Sequence, residues 1–314
     1  MKLAVEDAYG RIASYVRETP VEESAALAEG SGAMVFLKLE HLQHTGSFKF
    51  RGACNKIALL TPGEAAAGVV AASNGNHGLG VAAAAQARGI DAEVYVSSHV
   101  SPAKARRIAA HGARLRQSGS DPLAAEVAAR CAAEQSGRVF ISPYNDLDVA
   151  AGQGTLALEL HRQVRDLDAV FVAVGGGGLI GGVGSYLKAV SPRTEIVGCW
   201  PENSPVLYQC LLAGRVVEVA EQPTLSESTA GGLEAESVTL PLCRDVLDRS
   251  VLVSEEEIRA ALRLVLETEH WLIEGAAAVA VAAFRRDAPR WEGKRVAIVI
   301  CGRNVSPEVL AQVL

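Results

Sequence analysis

The sequence predicts an α/β protein of two lobes, each an open, mostly parallel sheet flanked by helices. Three observations lead there. Short apolar runs of strand length alternate with small-residue segments of helical length, the pattern that buries a parallel sheet between helix layers. The alternation occurs twice, once from residue 35 to 142 and again from 151 to 300, and the two runs meet near residues 143–150. A chain of 314 residues with 49% hydrophobic content is also long enough to bury two such units.

In order, residues 1–33 carry helical patterning and a loop, with Thr19-Pro20 as an extended break. Val35-Phe36-Leu37-Lys38-Leu39-Glu40 alternates as a strand. It gives way to Thr45-Gly46-Ser47-Phe48-Lys49-Phe50-Arg51-Gly52-Ala53, which opens a helix continued by Asn55, Ile57, Leu59 and Leu60. Thr61-Pro62-Gly63-Glu64 is a turn or helix start. A buried strand over 68–73 feeds Asn74-Gly75-Asn76-His77-Gly78 and a helix from Val81 to Arg88. Strand 92–96, a helix opened by Ser101-Pro102, strand 113–117, a helix from Asp121 to Glu134 and strand 139–142 complete the first run. The second begins at Ala151-Gly152-Gln153-Gly154-Thr155, with a helix to Val164 and strand 169–174. Gly175 to Gly178, a helix from Leu179 to Val190 and strand 195–200 follow. Beyond a less regular stretch to Asp248, Ser254-Glu255-Glu256-Glu257 is a capping-box signature. A small-residue helix over Trp271–Ala283 and strand 295–300, running into Cys301-Gly302-Arg303-Asn304, close the chain.

Composition excludes several classes. A net charge of −6 provides no basic excess for nucleic acid or anionic lipid. Mean hydropathy is +0.18, yet the apolar runs are too short to span a bilayer, and the N-terminus lacks the charged-then-apolar order of a signal peptide. The cysteines (Cys54, Cys131, Cys199, Cys210, Cys243, Cys301) are scattered without a C-x-x-C pair, which argues against a disulfide framework or zinc knuckle. The expectation is a soluble, intracellular protein.

Three stretches carry chemistry. Lys49 sits between Phe48 and Phe50 where strand gives way to helix; partial desolvation there lowers an amine's pKa and makes it nucleophilic. The alternative is a lysine that snorkels into water. Gly175-Gly176-Gly177-Gly178-Leu179-Ile180-Gly181-Gly182 joins a buried strand to a helix, where backbone N–H groups and the helix N-terminus favour a phosphate. It also contains G-x-G-x-x-G, with Glu202 about 20 residues on, so a nicotinamide or flavin site competes. Ser73-Asn74-Gly75-Asn76-His77-Gly78 offers donors to a carboxylate or phenolic oxygen, or forms a polar turn with an N-cap. Cys301 ends the last strand, where ligands bind in open α/β sheets, and a buried structural thiol is the plain alternative.

Together with Lys38-Leu39-Glu40, Gln43 to Ala53 and Ala151 to Thr155, these stretches resemble the fold type II pyridoxal-phosphate enzymes, the threonine/serine dehydratase and serine racemase group, along almost the whole chain. The resemblance implies a tryptophan synthase β-like fold, with residues 1–58 and 147–314 as a large cofactor-binding domain and 59–146 as a small one. Pyridoxal 5'-phosphate would be held by a Schiff base to Lys49, which then acts as base at the substrate α-carbon. Phe48 would pack near the ring; Gly175, Gly176, Gly177 and Gly178 would hold the phosphate; Asn76 would contact the 3′-oxygen. Ser73, Asn74 and His77 would receive the substrate carboxylate, and Cys301 would face the pyridine nitrogen. The implied reaction is dehydration and deamination of L-threonine or L-serine to a 2-oxo acid and ammonia, by a cytoplasmic homodimer. A bulkier or acidic 3-hydroxy amino acid, serine racemase-like activity and, remotely, a nucleotide-dependent oxidoreductase are the alternatives.

Some positions depart from the group's pattern. Asn74 replaces the serine that racemases use as opposite-face acid and base, which argues against racemisation. Trp200 and Val206 stand where some relatives place metal-binding carboxylates, so no metal is expected, although Glu202 is close in sequence. Ala230-Gly231-Gly232 and Arg303 are also unusual; Arg303 either reaches a second substrate carboxylate or sits in solvent. With its end at Leu314, the chain is expected to lack a C-terminal regulatory domain.

Overall fold

The computed structural model describes residues 1–120 and 122–313; Asp121, the expected start of one helix, and Leu314 lie outside them. The strands are β1 (Val21–Glu23), β2 (Met34–Lys38), β3 (Val69–Ala72), β4 (Ala92–Val96), β5 (Arg114–Gln117), β6 (Val139–Phe140), β7 (Ala169–Ala173), β8 (Glu195–Pro201), β9 (Arg249–Val253) and β10 (Arg295–Val299). The helices are α1 (Lys2–Ile12), α2 (Ala25–Ala28), α3 (Lys49–Ala58), α4 (Pro62–Ala67), α5 (Asn76–Ala87), α6 (Pro102–Ala109), α7 (Pro122–Ser136), α8 (Leu147–Gln163), α9 (Gly178–Val190), α10 (Val206–Ala213), α11 (Thr239–Val246), α12 (Glu255–Thr268), α13 (Gly275–Arg286) and α14 (Pro307–Val313).

Six strands form one sheet in the order β1-β2-β10-β7-β8-β9, and four form a second in the order β5-β4-β3-β6. Among the described residues the pairings are parallel except β1 with β2. A parallel sheet covered by helices on both faces needs apolar side chains on both faces, and all five residues of β7 are buried. In the larger sheet β10 lies between β2 and β7, so the end of the chain is threaded beside its beginning. That placement brings Cys301 against the turn before α3: Phe48 N–H donates to Cys301 O at 3.1 Å, and Ser47 bridges Gly302. Helices α3 and α8 meet at glycines, where a Cβ on Gly152 would lie 2.7 Å from Gly52 Cα.

Beneath the turn, four buried charges tie β2, α3 and α8 together. Arg51 binds Glu40 at 2.8 Å and Glu159 at 2.6 Å, and Lys38 binds Glu159 at 2.7 Å. Two cations answer two anions, so none is left uncompensated away from water. The network explains why an alternating strand carries Lys38 inward and why Glu40 bends into a short 3₁₀ turn, Glu40–Leu42, instead of extending the strand.

Several boundaries differ from the sequence expectation. Helix α5 starts at Asn76, five residues earlier than expected, so half of the polar loop is its first turn. Helix α8 starts at Leu147, capped by Asp146, rather than after the Gly-Gln-Gly stretch. The helix expected from Trp271 begins only at Gly275, because Glu274 N–H is spent on Gly302 O at 3.0 Å. The stretch to Asp248 holds α10 and α11, and β9 follows it as an unforeseen edge strand. Thr61 and Ser254 both form full capping boxes, with Glu64 and Glu257. Among the described residues no helix is long and apolar enough to cross a membrane.

Candidate active site

The C-terminal ends of the two sheets face a cavity of about 950 Å³ that leads to a narrow slot; Lys49 lines both. Lys49 is the first residue of α3, and its Nζ donates to Pro143 O at 2.7 Å. Burial lowers its pKa to about 8, against the opposing pull of Cys301 and Glu274. The Phe48 ring lies 5.3 Å from the amine. Phe50 points elsewhere, into the core of the smaller sheet, since adjacent helical residues diverge by about 100°. One aromatic neighbour, not two, desolvates the lysine.

The glycine turn follows β7. Gly177 caps α9 in the left-handed region, φ 86°, and Gly178 is the first helical residue. The Gly176 carbonyl accepts from Thr239 Oγ1 at 2.6 Å and the Gly177 carbonyl from Gly181 N–H at 2.8 Å. These carbonyls are thus occupied while Gly175 to Gly178 line the slot with bare backbone at a helix N-terminus.

Across the cavity, the Ser73 to His77 loop is held from both sheets. Asn74 is bound at both ends to Ser97, its Nδ2 donating to Oγ at 2.7 Å and its Oδ1 accepting from N–H at 2.9 Å. Ser73 Oγ accepts from Gly75 N–H at 3.0 Å. Asn76 donates to both oxygens of Glu274 at 2.9 Å and accepts from Asn304 Nδ2 at 2.6 Å. His77 is buried and its pKa falls to about 3, through burial first and Lys49 second, so the ring is neutral. Its Nε2 lies 2.8 Å from Ile141 O and must carry the proton; Nδ1 is then a bare acceptor that repels a carboxylate. Any contribution of His77 to anion binding comes from its backbone N–H in the first turn of α5.

Cys301 is buried beside the slot, and burial pushes its thiol well above the ordinary value, leaving it neutral. Arg303 is exposed and does not border the cavity. Trp200 is fully buried, its ring 5.8 Å from Tyr208, and Glu202 is paired with Arg286 at 3.2 Å.

Among the lining residues that sequence reasoning missed are Glu274 and Tyr144. Glu274, 5% exposed, also accepts from Ser228 Oγ at 2.8 Å and Asn304 N–H at 3.1 Å, and so joins the last strand to α5. Its role was hidden because the pattern ran the helix through it. Tyr144 stands at the junction of the lobes; an aromatic side chain after the proline of an interlobe turn was the available signal.

The family model for pyridoxal-phosphate dependent enzymes matches residues 12–302. The chain belongs to that family. L-threonine ammonia-lyase of Thermotoga maritima is 39% identical over 310 residues, covering 99% of this chain and 77% of the relative. The structure of maize serine racemase superposes with a TM-score of 0.93 at 31% identity, covering 99% of this chain and 95% of that one. The processed form of threonine deaminase isoform 2 from Solanum lycopersicum gives 0.93 at 30% identity, with coverage of 99% and 91%.

The slot fits the cofactor. A Cβ at Gly175 would come within 2.9 Å of Thr229 O and one at Gly176 would overlap the Tyr144 ring, so only side-chain-free backbone leaves room for a phosphate. The slot is lined by a buried amine and a neutral thiol, which suit an aldehyde and a pyridine nitrogen. With the family shown, the dinucleotide alternative for the glycine turn falls away.

Proposed function

We propose that this enzyme is an ammonia-lyase that converts L-threonine or L-serine to the 2-oxo acid and ammonia. The observation that carries the proposal is the Lys49 amine: buried, bound to a carbonyl rather than a carboxylate, and titrating at about 8, it is a base available near neutral pH. The threonine ammonia-lyase and threonine deaminase relatives support the same reaction class.

In this reading Lys49 holds the cofactor and then removes the substrate α-proton with its Nζ. The four glycines, Gly175 to Gly178, would hold the phosphate by their N–H groups, and Phe48 would pack near the ring. Asn76, oriented by Glu274 and Asn304, would serve the cofactor's 3′-oxygen. Ser73, the backbone of Asn74, whose side chain is held by Ser97, and the backbone at the start of α5 would receive the substrate carboxylate, where the helix N-terminus favours negative charge. Once bound, pyridoxal phosphate supplies an electron sink for the α-carbon. The neutral Cys301 thiol would face the pyridine nitrogen without giving it a positive charge, a setting that favours loss of the β-hydroxyl. Asn74 has no exchangeable acid proton and is locked to Ser97, which counts against racemisation.

We further take the protein to be a cytoplasmic homodimer with a small domain over residues 59–146, which sedimentation and limited proteolysis test. For the activity, purified holoenzyme is assayed for 2-oxo acid from L-threonine and L-serine, beside Lys49→Ala. Turnover by wild type and none by the variant is the expected result. D-serine as the main product from L-serine would overturn the assignment.

A further inference from the structure

Tyr144 borders both the large cavity and the slot. It follows Pro143, whose carbonyl receives the Lys49 amine, so its backbone is anchored one residue from the reacting nitrogen. Its ring rests on the glycine turn: a Cβ at Gly176 would overlap it, and one at Gly178 would come within 3.1 Å of Tyr144 Cα. The hydroxyl accepts from Glu234 N–H at 2.9 Å. Glu234 is itself held by Asn145 at 2.9 Å and Arg130 at 2.8 Å, so the far end of the ring is pinned as well. Burial pushes the phenol above its ordinary pKa, which makes it a poor proton donor. What the residue offers the cavity is a fixed apolar surface.

We infer that Tyr144 is a specificity-determining wall for the substrate's β-substituent and that it favours the methyl group of threonine over the hydrogen of serine. The inference rests on the ammonia-lyase proposal and adds the preferred substrate. A methyl group against a wall that cannot yield gains contact and loses water, whereas serine leaves the same space unfilled. A charged substituent is poorly served. Arg303 lies outside the cavity, Lys104 is bound to Glu227 at 3.0 Å, and Glu126, Glu221 and Glu308 line the remainder. An acidic 3-hydroxy amino acid therefore meets repulsion where it needs a cation.

The test compares kcat/KM for L-threonine and L-serine in holoenzyme preparations of wild type, Tyr144→Phe, Tyr144→Leu and Tyr144→Ala, with cofactor content read from visible absorbance. Tyr144→Ala is expected to lower the threonine-to-serine ratio by about tenfold or more, the usual worth of one methyl group in a fitted pocket. Tyr144→Phe keeps the ring and is expected to hold the ratio within about threefold of wild type. Tyr144→Leu, which keeps apolar bulk, is expected to fall between them and stands in if the alanine variant does not fold. An active variant lacking the ring whose ratio matches wild type would overturn the wall while leaving the lyase proposal intact. Wild type that turns over neither substrate would overturn both.

Discussion

Titrating cofactor capture by apoenzyme tests the Lys49 environment directly. Only the neutral amine attacks an aldehyde, so the capture rate follows the neutral fraction. Near pH 7.5 an amine titrating at about 8 is roughly one quarter neutral, against about one part in a thousand for an ordinary lysine at 10.5. The rate of appearance of the visible band after adding pyridoxal phosphate should therefore rise with pH and level off above about pH 8. Glu274→Gln sharpens the test, because it removes the carboxylate whose attraction holds the Lys49 pKa up while keeping an acceptor for Asn76. The variant's midpoint should therefore move to lower pH, with faster capture at pH 7. A wild-type midpoint near 10, or a variant midpoint above that of wild type, would refute the reasoning.

Other perturbations have equally definite outcomes. Arg51→Ala strands Glu40 in the core, leaves Glu159 with Lys38 alone, and should cost about 3–5 kcal/mol in urea unfolding. Burial raises the Glu40 pKa and Arg51 more than reverses this, so its folded value lies below the unfolded one; that share of stability is complete above the unfolded carboxylate pKa and fades as pH falls through the folded value. The gap between wild type and Arg51→Ala should accordingly narrow in acid. Gly176→Ala should leave far-UV circular dichroism unchanged but weaken cofactor retention on dialysis by at least about tenfold, because the new methyl group overlaps the pinned Tyr144 ring and forces the glycine turn out of shape. Ser254→Ala removes the cap of α12 and should lower stability by about 1 kcal/mol while kcat stays at the wild-type value.

The sequence alone determined the α/β class, the alternation in two runs, and the places of Lys49 at a strand-to-helix boundary and of the glycine turn, because each is a local signal. Strand runs follow from side-chain burial, a helix start from its capping residues, and a phosphate turn from the need for backbone without Cβ atoms. What the tertiary structure decided depends on partners far apart in the chain. Threading β10 between β2 and β7 put Cys301 beside Lys49, and no periodicity encodes the order of strands in a sheet. Glu274 became a site residue through hydrogen bonds to Asn76, Ser228 and Asn304, the first of them 198 positions away. The tautomer of His77 was set by Ile141 O, and the exposure of Arg303 by the course of the chain after β10. Residue type says what a side chain can do; the direction in which it points, and so which role it takes, is fixed only when the sheets and helices close around it.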